Sequence, residues 1–398
     1  MAHNLLNGSY LCIKRRVEKS ILRMPDSLNI LLAPLDWGLG HATRCIPLIR
    51  YLLEKNCRVT LAAHGSVALL LKSNFPQLRI LPIEGYNIRY SATGNILPLK
   101  ILMQVPEILR AIKAERQWLR DVQDKNKFDL IISDNRYGLK IKNVPSVILT
   151  HQLTIKTGAG PVADSILRRL HYNILEKFDA CWIVDALQHK SIGGELSHPS
   201  TIPSNARYIG ILSQLELPAS GQRLNPGEIL VLLSGPEPQR TQLENIILNQ
   251  IPPSQAYRYV VVGGRPEGPI PVNLPSDTIY YTHRNASELA NLMGSAEIVI
   301  CRSGYSTLMD LAFMGKKALL IPTPGQSEQL YLASYLKEQG LFSNCKQSSL
   351  NLENDIKKAL TYPGFQTDNS LFSMDIMKAA VDDLITGLAA NSYNAVIK

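Results

Sequence analysis

The sequence predicts an α/β protein built from two doubly wound domains that face a shared cleft. Short apolar runs alternate with helical patterns of about 10 to 15 residues along the chain of 398 residues, which is the order of βαβ units with parallel strands. The length fits two domains of roughly 200 residues each. A stretch containing Pro, Gly and Ser at residues 212–227 is the best candidate linker between them.

Each predicted strand is a short apolar run that leads into a turn or a helical pattern. In the first half these runs are Asn29–Ala33, Arg58–Ala62, Leu78–Pro82, Asp129–Ser133, Ser146–Thr150 and Ala180–Val184. In the second half they are Glu228–Leu233, Tyr257–Val262, Thr278–Tyr281, Glu297–Cys301 and Ala318–Ile321. The predicted bounds are an N-terminal extension at 1–25, a first domain at 26–215, a second domain at 216–375, and a helix and tail at 376–398 that pack back on the first domain.

The composition places the chain among globular proteins of the cytoplasm. Hydrophobic residues make up 45% and charged residues 19%, and no apolar run approaches the roughly 18–20 residues that cross a bilayer. The basic opening IKRRVEK is not followed by an apolar signal region. The six cysteines are scattered without a C-x-x-C pair, which speaks against a zinc site or a disulfide framework and indicates a reducing compartment.

The basic excess lies in the first half of the chain, whose net charge overall is +9. Residues 1–220 hold 28 lysines and arginines against 17 aspartates and glutamates, a net +11, whereas residues 221–398 hold 14 against 16, a net −2. Such a domain suits an anionic membrane face or a phosphorylated substrate. Nucleic acid is not expected as a partner, because no recognised binding motif occurs and the basic residues are dispersed.

The first strand runs into the glycine loop PLDWGLGHATR at residues 34–44. This loop does not fit a dinucleotide fingerprint, because Thr43 stands where the third glycine belongs and no acid ends the second strand. We instead expect the turn Gly38-x-Gly40 to clear space for substrate and to present His41 at the start of a helix facing the cleft. A histidine that is merely solvent-facing or satisfied by the core is the alternative.

Two loops of the second half follow strands in the same way. The loop Cys301–Thr307 opens a helix whose free N–H groups and small residues suit a diphosphate, and Asp310 within that helix suits ribose hydroxyls. A plain helix cap by a serine of the loop is the alternative. The loop after the strand EILVLL begins with Ser234 and Gly235 and gives a weaker signal of the same kind.

Taken together, these loops resemble the glycosyltransferases of family 28, which have the GT-B fold of two Rossmann-like domains. The specific part of the resemblance is VICRSGYSTLMDLAFMGKKALLIPTPGQSEQLYLASYL at residues 299–336. The resemblance implies an inverting, metal-independent transfer of a hexose or N-acetylhexosamine from a UDP-sugar to an acceptor in an envelope glycan or on a lipid carrier. It implies no cofactor, since the nucleotide sugar is a substrate.

The resemblance also implies roles for individual residues of the second half. The donor-binding set would be Ser234, Gly235, Arg302, Ser303, Gly304, Tyr305, Thr307, Asp310, Gln326 and Gln329. Three features of the second half depart from the family pattern: the loop SGPEPQR is poorer in glycine, an aspartate replaces glutamate at position 310, and the glutamine loop (PGQSEQ, residues 324–329) is about one residue shorter. The identity of the donor sugar therefore stays open.

His41 suits the role of general base, since histidine titrates near the working pH. Asp134, which ends the strand DLIISD, is the alternative base or the group that orients His41. No acidic D-x-D triplet occurs, so no metal is expected. The acceptor-side candidates are Gly38, Gly40, Arg44, Arg136, His151 and Gln152. For Arg136, His151 and Gln152, a plain surface loop residue is the alternative.

The form G-x-G-H-x-x-R of the first loop also resembles GT-B-like hydrolases of nucleotide sugars. A hydrolase or epimerase on the same fold is therefore the alternative function.

Residues 97–119 combine apolar residues with four basic ones and could hold the first domain against an anionic leaflet at the inner face of the plasma membrane. A core-facing helix with a solvated basic face is the alternative for that segment.

Overall fold

The computed structural model describes residues 27–85, 97–155, 160–187, 191–217, 224–252, 257–265, 268–365 and 373–396. Within these ranges, the side chains of residues 97–105, 161 and 389–396 are not described. The predicted N-terminal extension at 1–25 lies outside the described residues, and so do residues 218–223 of the predicted linker.

The first domain is a parallel sheet with helices on its faces. Its seven strands run in the spatial order β3-β2-β1-β4-β5-β6-β7. The strands are β1 (Asn29–Pro34), β2 (Arg58–Ala63), β3 (Arg79–Pro82), β4 (Leu130–Asp134), β5 (Ser146–Thr150), β6 (Ala180–Ile183) and β7 (Ala206–Tyr208). The helices are α1 (Leu39–Glu54), α2 (Gly65–Asn74), α3 (Leu97–Asn126) and α4 (Pro161–Leu175).

The second domain repeats the same plan with a six-stranded parallel sheet in the order β10-β9-β8-β11-β12-β13. The strands are β8 (Glu228–Leu232), β9 (Arg258–Val262), β10 (Thr278–Tyr281), β11 (Ile298–Cys301), β12 (Ala318–Leu320) and β13 (Ser343–Asn344). The helices are α5 (Gln239–Leu248), α6 (Ala286–Ser295), α7 (Tyr305–Met314), α8 (Ser327–Glu338), α9 (Leu352–Leu360) and α10 (Asp375–Val396).

All eleven strands that the apolar runs predict are present within one or two residues of their predicted bounds. The inner strands, such as β1, β4 and β11, are buried on both faces, as parallel strands covered by helices require. Two further strands, β7 and β13, were not predicted. They span three and two residues at the outer edges of the two sheets, so neither contains an apolar run long enough to be recognised.

The strand order creates one topological switch point in each sheet. In the first sheet it lies between β1 and β4, and in the second between β8 and β11, because the chain winds outward in both directions from these pairs. Ligands in open α/β sheets bind beyond the carboxyl ends of the strands at such points. The predicted loops follow these strands, so the fold brings them to the two places where a ligand is expected.

The C-terminal helix α10 packs against α1 of the first domain. Tyr51 on α1 donates a hydrogen bond of 2.9 Å to Asp382, and Lys55 forms an ion pair of 2.7 Å with the same carboxylate. Arg207 at the edge of the first sheet pairs with Asp383 at 2.8 Å. The chain therefore returns from the second domain to the first at its C-terminal end.

The short 3-10 turn Gly194–Leu196 of the first domain lies against α8 of the second. The N–H of Glu195 donates to the hydroxyl of Tyr331 at 2.9 Å. Gly194 has a φ of +52°, and a Cβ on it would lie 2.8 Å from the Tyr331 hydroxyl and 2.8 Å from the ring of Tyr335. Only glycine fits this contact without strain or displacement of the two tyrosines.

Gly194→Ala is expected to lower the free energy of unfolding by about 2–5 kcal/mol, from left-handed strain and overpacking together. It is also expected to open the two domains, which small-angle X-ray scattering would record as a larger radius of gyration. The matched control is Gly160→Ala, because Gly160 has a φ of +101° but no atom of the described residues within 4 Å of its added Cβ. An unchanged radius of gyration in Gly194→Ala would contradict the packing argument.

Candidate active site

His41 and Asp134 meet at the switch point of the first sheet. Asp134 is the last residue of β4, and its register partner on β1 is Pro34, from which the chain enters the loop that leads to α1. Gly38 turns that loop with a φ of +87°, and no side chain caps the helix that follows. His41 lies in the first turn of α1, and its Nδ1 is 3.1 Å from Oδ2 of Asp134.

Arg44, one turn further along α1, is 2% exposed. Its Nε donates to Oδ2 of Asp134 at 2.8 Å, and its Nη2 donates to Oδ1 of the same carboxylate. Its Nη1 lies 2.6 Å from Nδ1 of His151, on the loop after β5. Arg44 therefore links the carboxylate to two histidines within the protein and does not itself face solvent.

Burial and charge set the protonation of this pair. Burial lowers the pKa of His41, and the guanidinium of Arg44 adds to that effect while Asp134 opposes it. Burial alone would raise the pKa of Asp134, yet Arg44 and His41 hold it well below the usual carboxyl range. A neutral imidazole beside a charged carboxylate can accept a proton from a substrate. The side chain of His41 remains 14% exposed, which leaves it accessible.

The second domain contacts this cluster through α7 and α8. Nε2 of His151 lies 3.1 Å from Oε1 of Glu328, in the first turn of α8. The ring of Tyr305, the first residue of α7, stacks on the His151 ring with centroids 4.1 Å apart. The Tyr305 hydroxyl donates to the carbonyl of Val184 at 2.8 Å. We call His41, Arg44, Asp134, His151, Tyr305 and Glu328 the interdomain cluster.

The N-termini of α1 and α7 abut one another in this region. The Ser306 hydroxyl donates to the carbonyl of Gly40 at 3.0 Å, and a Cβ on Gly40 would lie 2.5 Å from that hydroxyl oxygen. Within the part of the chain that the structure describes, no side chain caps α7, whose first backbone N–H groups have no intrahelical partner. Two helix N-termini that meet beside His41 create positive potential suited to an anion.

The loop that precedes α7 is held from behind by its own residues. Ser303 donates to the carbonyl of Gln329 at 2.8 Å, and Gly304 precedes the helix in extended conformation. Arg302 is 1% exposed and donates to the carbonyls of Ile321 and Gln239. Arg302 thus lies beneath the loop and bonds it to the backbone after β12 and at the start of α5, and its role in donor binding stays a prediction.

The loop after β8 and the glutamine loop lie beside one another. Ser234 is half-buried and Gly235 is exposed. A Cβ on Gly235 would lie 3.6 Å from the Thr323 hydroxyl, which belongs to the loop after β12. Oε1 of Gln329 accepts the N–H of Thr323 at 2.8 Å, and its Nε2 donates to Gln326 at 2.6 Å. Thr307 of the predicted donor set is half-buried on α7.

Asp310 is 6% exposed and accepts a hydrogen bond of 2.6 Å from the hydroxyl of Ser213, at the start of the interdomain linker. The N–H of Leu212 contacts the sulfur of the neighbouring Met309 at 3.4 Å. The carboxylate predicted to bind ribose is thus engaged by the linker. Burial raises the pKa of Asp310 from 3.8 to about 7, although the hydrogen bonds from the linker oppose that shift.

The raised pKa of Asp310 predicts a pH dependence of stability. Between about pH 4 and pH 7 the folded protein holds a proton on Asp310 that the unfolded chain has lost, so stability falls as the pH rises through this interval. Asp310→Asn keeps an acceptor for Ser213 but cannot titrate. Chemical unfolding followed by circular dichroism should show the wild type losing stability relative to this variant between pH 5 and pH 7.5. A difference that does not change with pH would contradict the prediction.

Two acceptor-side candidates, Arg136 and Gln152, make hydrogen bonds within the first domain. Arg136 is fully buried and donates to the carbonyls of Pro34 and Glu84 and to the carboxylate of Glu115. It therefore holds the backbone at the end of β1. Gln152 is half-buried, and its N–H donates to the Thr150 hydroxyl at 3.1 Å.

Sequence reasoning missed Glu328 and Ser213. Glu328 stands between two glutamines that the family pattern singled out, but nothing in the sequence indicated a contact with the first domain. Ser213 belongs to a stretch that could be recognised only as a linker.

A model of the glycosyltransferase family 28 C-terminal domain matches residues 253–384. This part of the second domain, which begins before β9 and ends within α10, is therefore similar to the C-terminal domain of family 28 glycosyltransferases. This finding confirms the resemblance that the sequence predicted. It places α7, with its free N-terminus, within the matched region, together with the glutamine loop and α8.

Relatives with a known name agree with this assignment. The UDP-N-acetylglucosamine--N-acetylmuramyl-(pentapeptide) pyrophosphoryl-undecaprenol N-acetylglucosamine transferase of Sulfurihydrogenibium sp. (strain YO3AOP1) is 27% identical over 166 residues. That match covers 41% of this chain and 46% of the relative. The transferase of the same name from Histophilus somni (strain 129Pt) is 24% identical over 338 residues, which cover 79% of this chain and 84% of the relative.

A solved structure confirms the predicted GT-B fold outside as well as inside the family 28 domain. The crystal structure of the kitacinnamycin glycotransferase has a TM-score of 0.62 at 14% identity and covers 92% of this chain and 100% of its own. The family model, the relatives and the fold together support a glycosyltransferase. Among the helices in the described ranges, none is long and apolar enough to span a membrane.

Proposed function

We propose that this protein transfers a hexose or N-acetylhexosamine from a UDP-sugar to an acceptor hydroxyl. The observation that supports it best is the contact between two helix N-termini beside the His41–Asp134 pair. The N-terminus of α7 would bind the anionic donor in the second domain, and His41 on α1 would serve as the neutral base in the first domain. The proposed donor is that named for the Sulfurihydrogenibium and Histophilus relatives, a UDP-sugar.

In the proposed reaction the acceptor oxygen attacks the anomeric carbon of the donor. The bond between that carbon and the diphosphate oxygen breaks, and UDP leaves with the electron pair. Nε2 of His41 takes the acceptor proton, which requires Nδ1 to carry a hydrogen and donate it to Asp134. A single displacement of this kind inverts the anomeric centre. We expect the free N–H groups of α7 to stabilise the charge on the leaving diphosphate.

The donor site is proposed to include Ser234, Gly235, Ser303, Gly304, Tyr305, Thr307, Gln326 and Gln329. Hydrogen bonds join Ser303 to Gln329 and Gln329 to Gln326, which supports a donor site that is ordered before the donor binds. Asp310 joins this set only if the ribose displaces or shares the Ser213 hydrogen bond. Gly38, Gly40 and Gln152 are proposed for the acceptor side. In this proposal the helix N-termini stabilise the negative charge of the diphosphate without a metal ion. Activity is therefore expected to persist in EDTA.

A lipid-linked acceptor is part of the proposal. Trp37 and Leu39 lie four and two residues before His41. They are 39% and 41% exposed and offer apolar surface to an acceptor. The named relatives act on a pyrophosphoryl-undecaprenol compound. The basic residues Arg110, Lys113, Arg116 and Arg120 border one groove on exposed α3, while Leu119 packs into the core. We propose that this face meets the anionic inner leaflet of the membrane.

The membrane contact predicts that the protein sediments with vesicles that contain phosphatidylglycerol. Binding should fall steeply between 50 mM and 300 mM NaCl, because the charges of α3 are exposed to solvent. Replacing Arg110, Lys113, Arg116 and Arg120 by Gln should remove most of the binding. Sedimentation that is equal with neutral vesicles and indifferent to salt would contradict an electrostatic contact.

The function is tested by incubating the protein with UDP-N-acetylglucosamine, UDP-glucose or UDP-galactose, with and without a polyprenyl-linked acceptor extract. Transfer predicts UDP release that depends on the acceptor and a labelled sugar in the lipid fraction. Free sugar released at the same rate without acceptor would instead indicate a nucleotide-sugar hydrolase. The structure gives no separate support to that alternative, since Arg44, which suggested it, is buried among Asp134 and the two histidines.

A further inference from the structure

Glu328 belongs to the second domain but contacts the catalytic face of the first. It lies in the first turn of α8, and its Oε1 is 3.1 Å from Nε2 of His151. Its side chain is 33% exposed, whereas that of His151 is 7% exposed. The contact therefore joins the donor domain to the buried part of the interdomain cluster.

The hydrogen bonds of His151 fix its tautomer. A guanidinium can only donate, so Nδ1 of His151 accepts from Nη1 of Arg44 at 2.6 Å. The hydrogen of a neutral His151 must then be on Nε2, where it is donated to Glu328. Without Glu328 the Nε2 hydrogen would have no acceptor among the described contacts, and of these two hydrogen bonds only the one from Arg44 would orient the ring.

The orientation of Arg44 depends in turn on His151. One edge of the guanidinium is bonded to Asp134 through Nε and Nη2, and the remaining terminal nitrogen, Nη1, is bonded to His151. Nη2 also lies 2.9 Å from Nδ1 of His41, closer than Oδ2 of Asp134 at 3.1 Å, so it already competes with Asp134 for that nitrogen, and loss of the bond to His151 would free the guanidinium to turn further toward it. If Nδ1 of His41 accepts from Arg44, its hydrogen moves to Nε2 and the base is lost.

We propose that Glu328 is a positioning residue that keeps His41 in the tautomer able to accept a proton. It acts through His151 and Arg44, and it contacts neither of the reacting atoms. Because α8 belongs to the donor domain, the base is oriented only when the two domains are closed on one another. This inference rests on the proposed role of His41 and goes beyond it, since it links domain closure to the state of the base.

The kinetic test compares Glu328→Ala with Glu328→Gln, whose amide oxygen can still accept from His151. Glu328→Ala is expected to lower kcat about 10- to 100-fold, by analogy with the loss of hydrogen-bond partners of metal-ligating histidines, with both KM values within about twofold. Glu328→Gln is expected to retain most of the activity. Glu338→Ala on the same helix is the control, because Glu338 is exposed. Among the hydrogen bonds described, its Oε1 accepts only from Ser334 of the same helix. A rise in donor KM at unchanged kcat would overturn the proposal, because it would make Glu328 a contact of the donor sugar.

A second measurement does not depend on activity. Nitrogen-15 NMR of histidine-labelled protein reports the tautomer of each ring, and we expect Nδ1–H for His41 and Nε2–H for His151 in the wild type. Glu328→Ala should shift both rings away from these tautomers, and Glu328→Gln should restore them. Unchanged His41 signals in Glu328→Ala would overturn the inference. If the wild type transfers no sugar, the proposed function fails, while the NMR result still decides whether Glu328 positions His41.

Discussion

His41→Ala is expected to lower kcat for sugar transfer by about 10²- to 10⁴-fold, the usual contribution of a positioned general base. The side chain is within hydrogen-bonding distance of Asp134 and 14% exposed, so it can meet both its orienting partner and an acceptor. Donor KM should change little, because His41 belongs to the first domain and the donor is proposed to bind the second. Initial rates over a range of both substrates would separate these effects.

His64→Ala is the matched control for His41→Ala. His64 follows β2 at the same edge of the sheet and lies at the N-terminus of α2, as His41 lies in the first turn of α1. Its side chain is exposed. Its removal should leave kcat unchanged. Near-normal transfer by His41→Ala, in protein with wild-type circular dichroism, would exclude histidine as the base and transfer that role to Asp134.

Arg44→Met is expected to lower the free energy of unfolding of the first domain by about 3–5 kcal/mol. The substitution leaves the carboxylate of Asp134, which is 1% exposed, without its principal counter-charge. An uncompensated buried charge is far more costly than the lost attraction of the pair. Tryptophan fluorescence during urea unfolding measures this domain selectively, because the three tryptophans are Trp37, Trp118 and Trp182.

The control for Arg44→Met lies on the same helix. Arg50 pairs with Glu216 at 2.7 Å, but the two side chains are 34% and 71% exposed. Arg50→Ala should therefore cost at most about 1 kcal/mol. The double variant Arg44→Met with Asp134→Leu should recover much of the loss, since replacing both partners of a buried pair by apolar groups can be nearly neutral. Equal destabilisation by Arg44→Met and Arg50→Ala would show that the buried pair is not a stabilising contact.

Much of the fold follows from the sequence because its strands are buried on both faces. Such strands appear as continuous apolar runs, as in NILLAP for β1 and IVIC for β11. The meeting of His41 and Asp134 also follows, since both stand at the carboxyl ends of strands and parallel strands end at one edge. The edge strands β7 and β13 could not be recognised, because two or three residues of mixed character have no readable period.

The direction of charged side chains could not be predicted. Arg136 and Arg302 both follow strands, and Arg44 lies within a helix, but nothing in the sequence shows that their side chains are buried. Each side chain points inward because it donates to a backbone carbonyl or a carboxylate from a distant part of the chain. These partners lie 63 to 102 residues away, so only the folded chain brings them together. The same holds for Ser213 and Asp310, which are separated by 97 positions.

The measurement that tests the central claim most directly is hydrogen exchange at the N-terminus of α7 in the presence of UDP. If the diphosphate binds the free N–H groups of residues 304–307, their exchange should slow on addition of UDP and of each UDP-sugar that supports transfer. The control peptide covers β4, whose amides are already in the sheet and should not change. UDP that binds but leaves residues 304–307 unprotected, or that protects only other loops, would contradict the placement of the donor opposite His41.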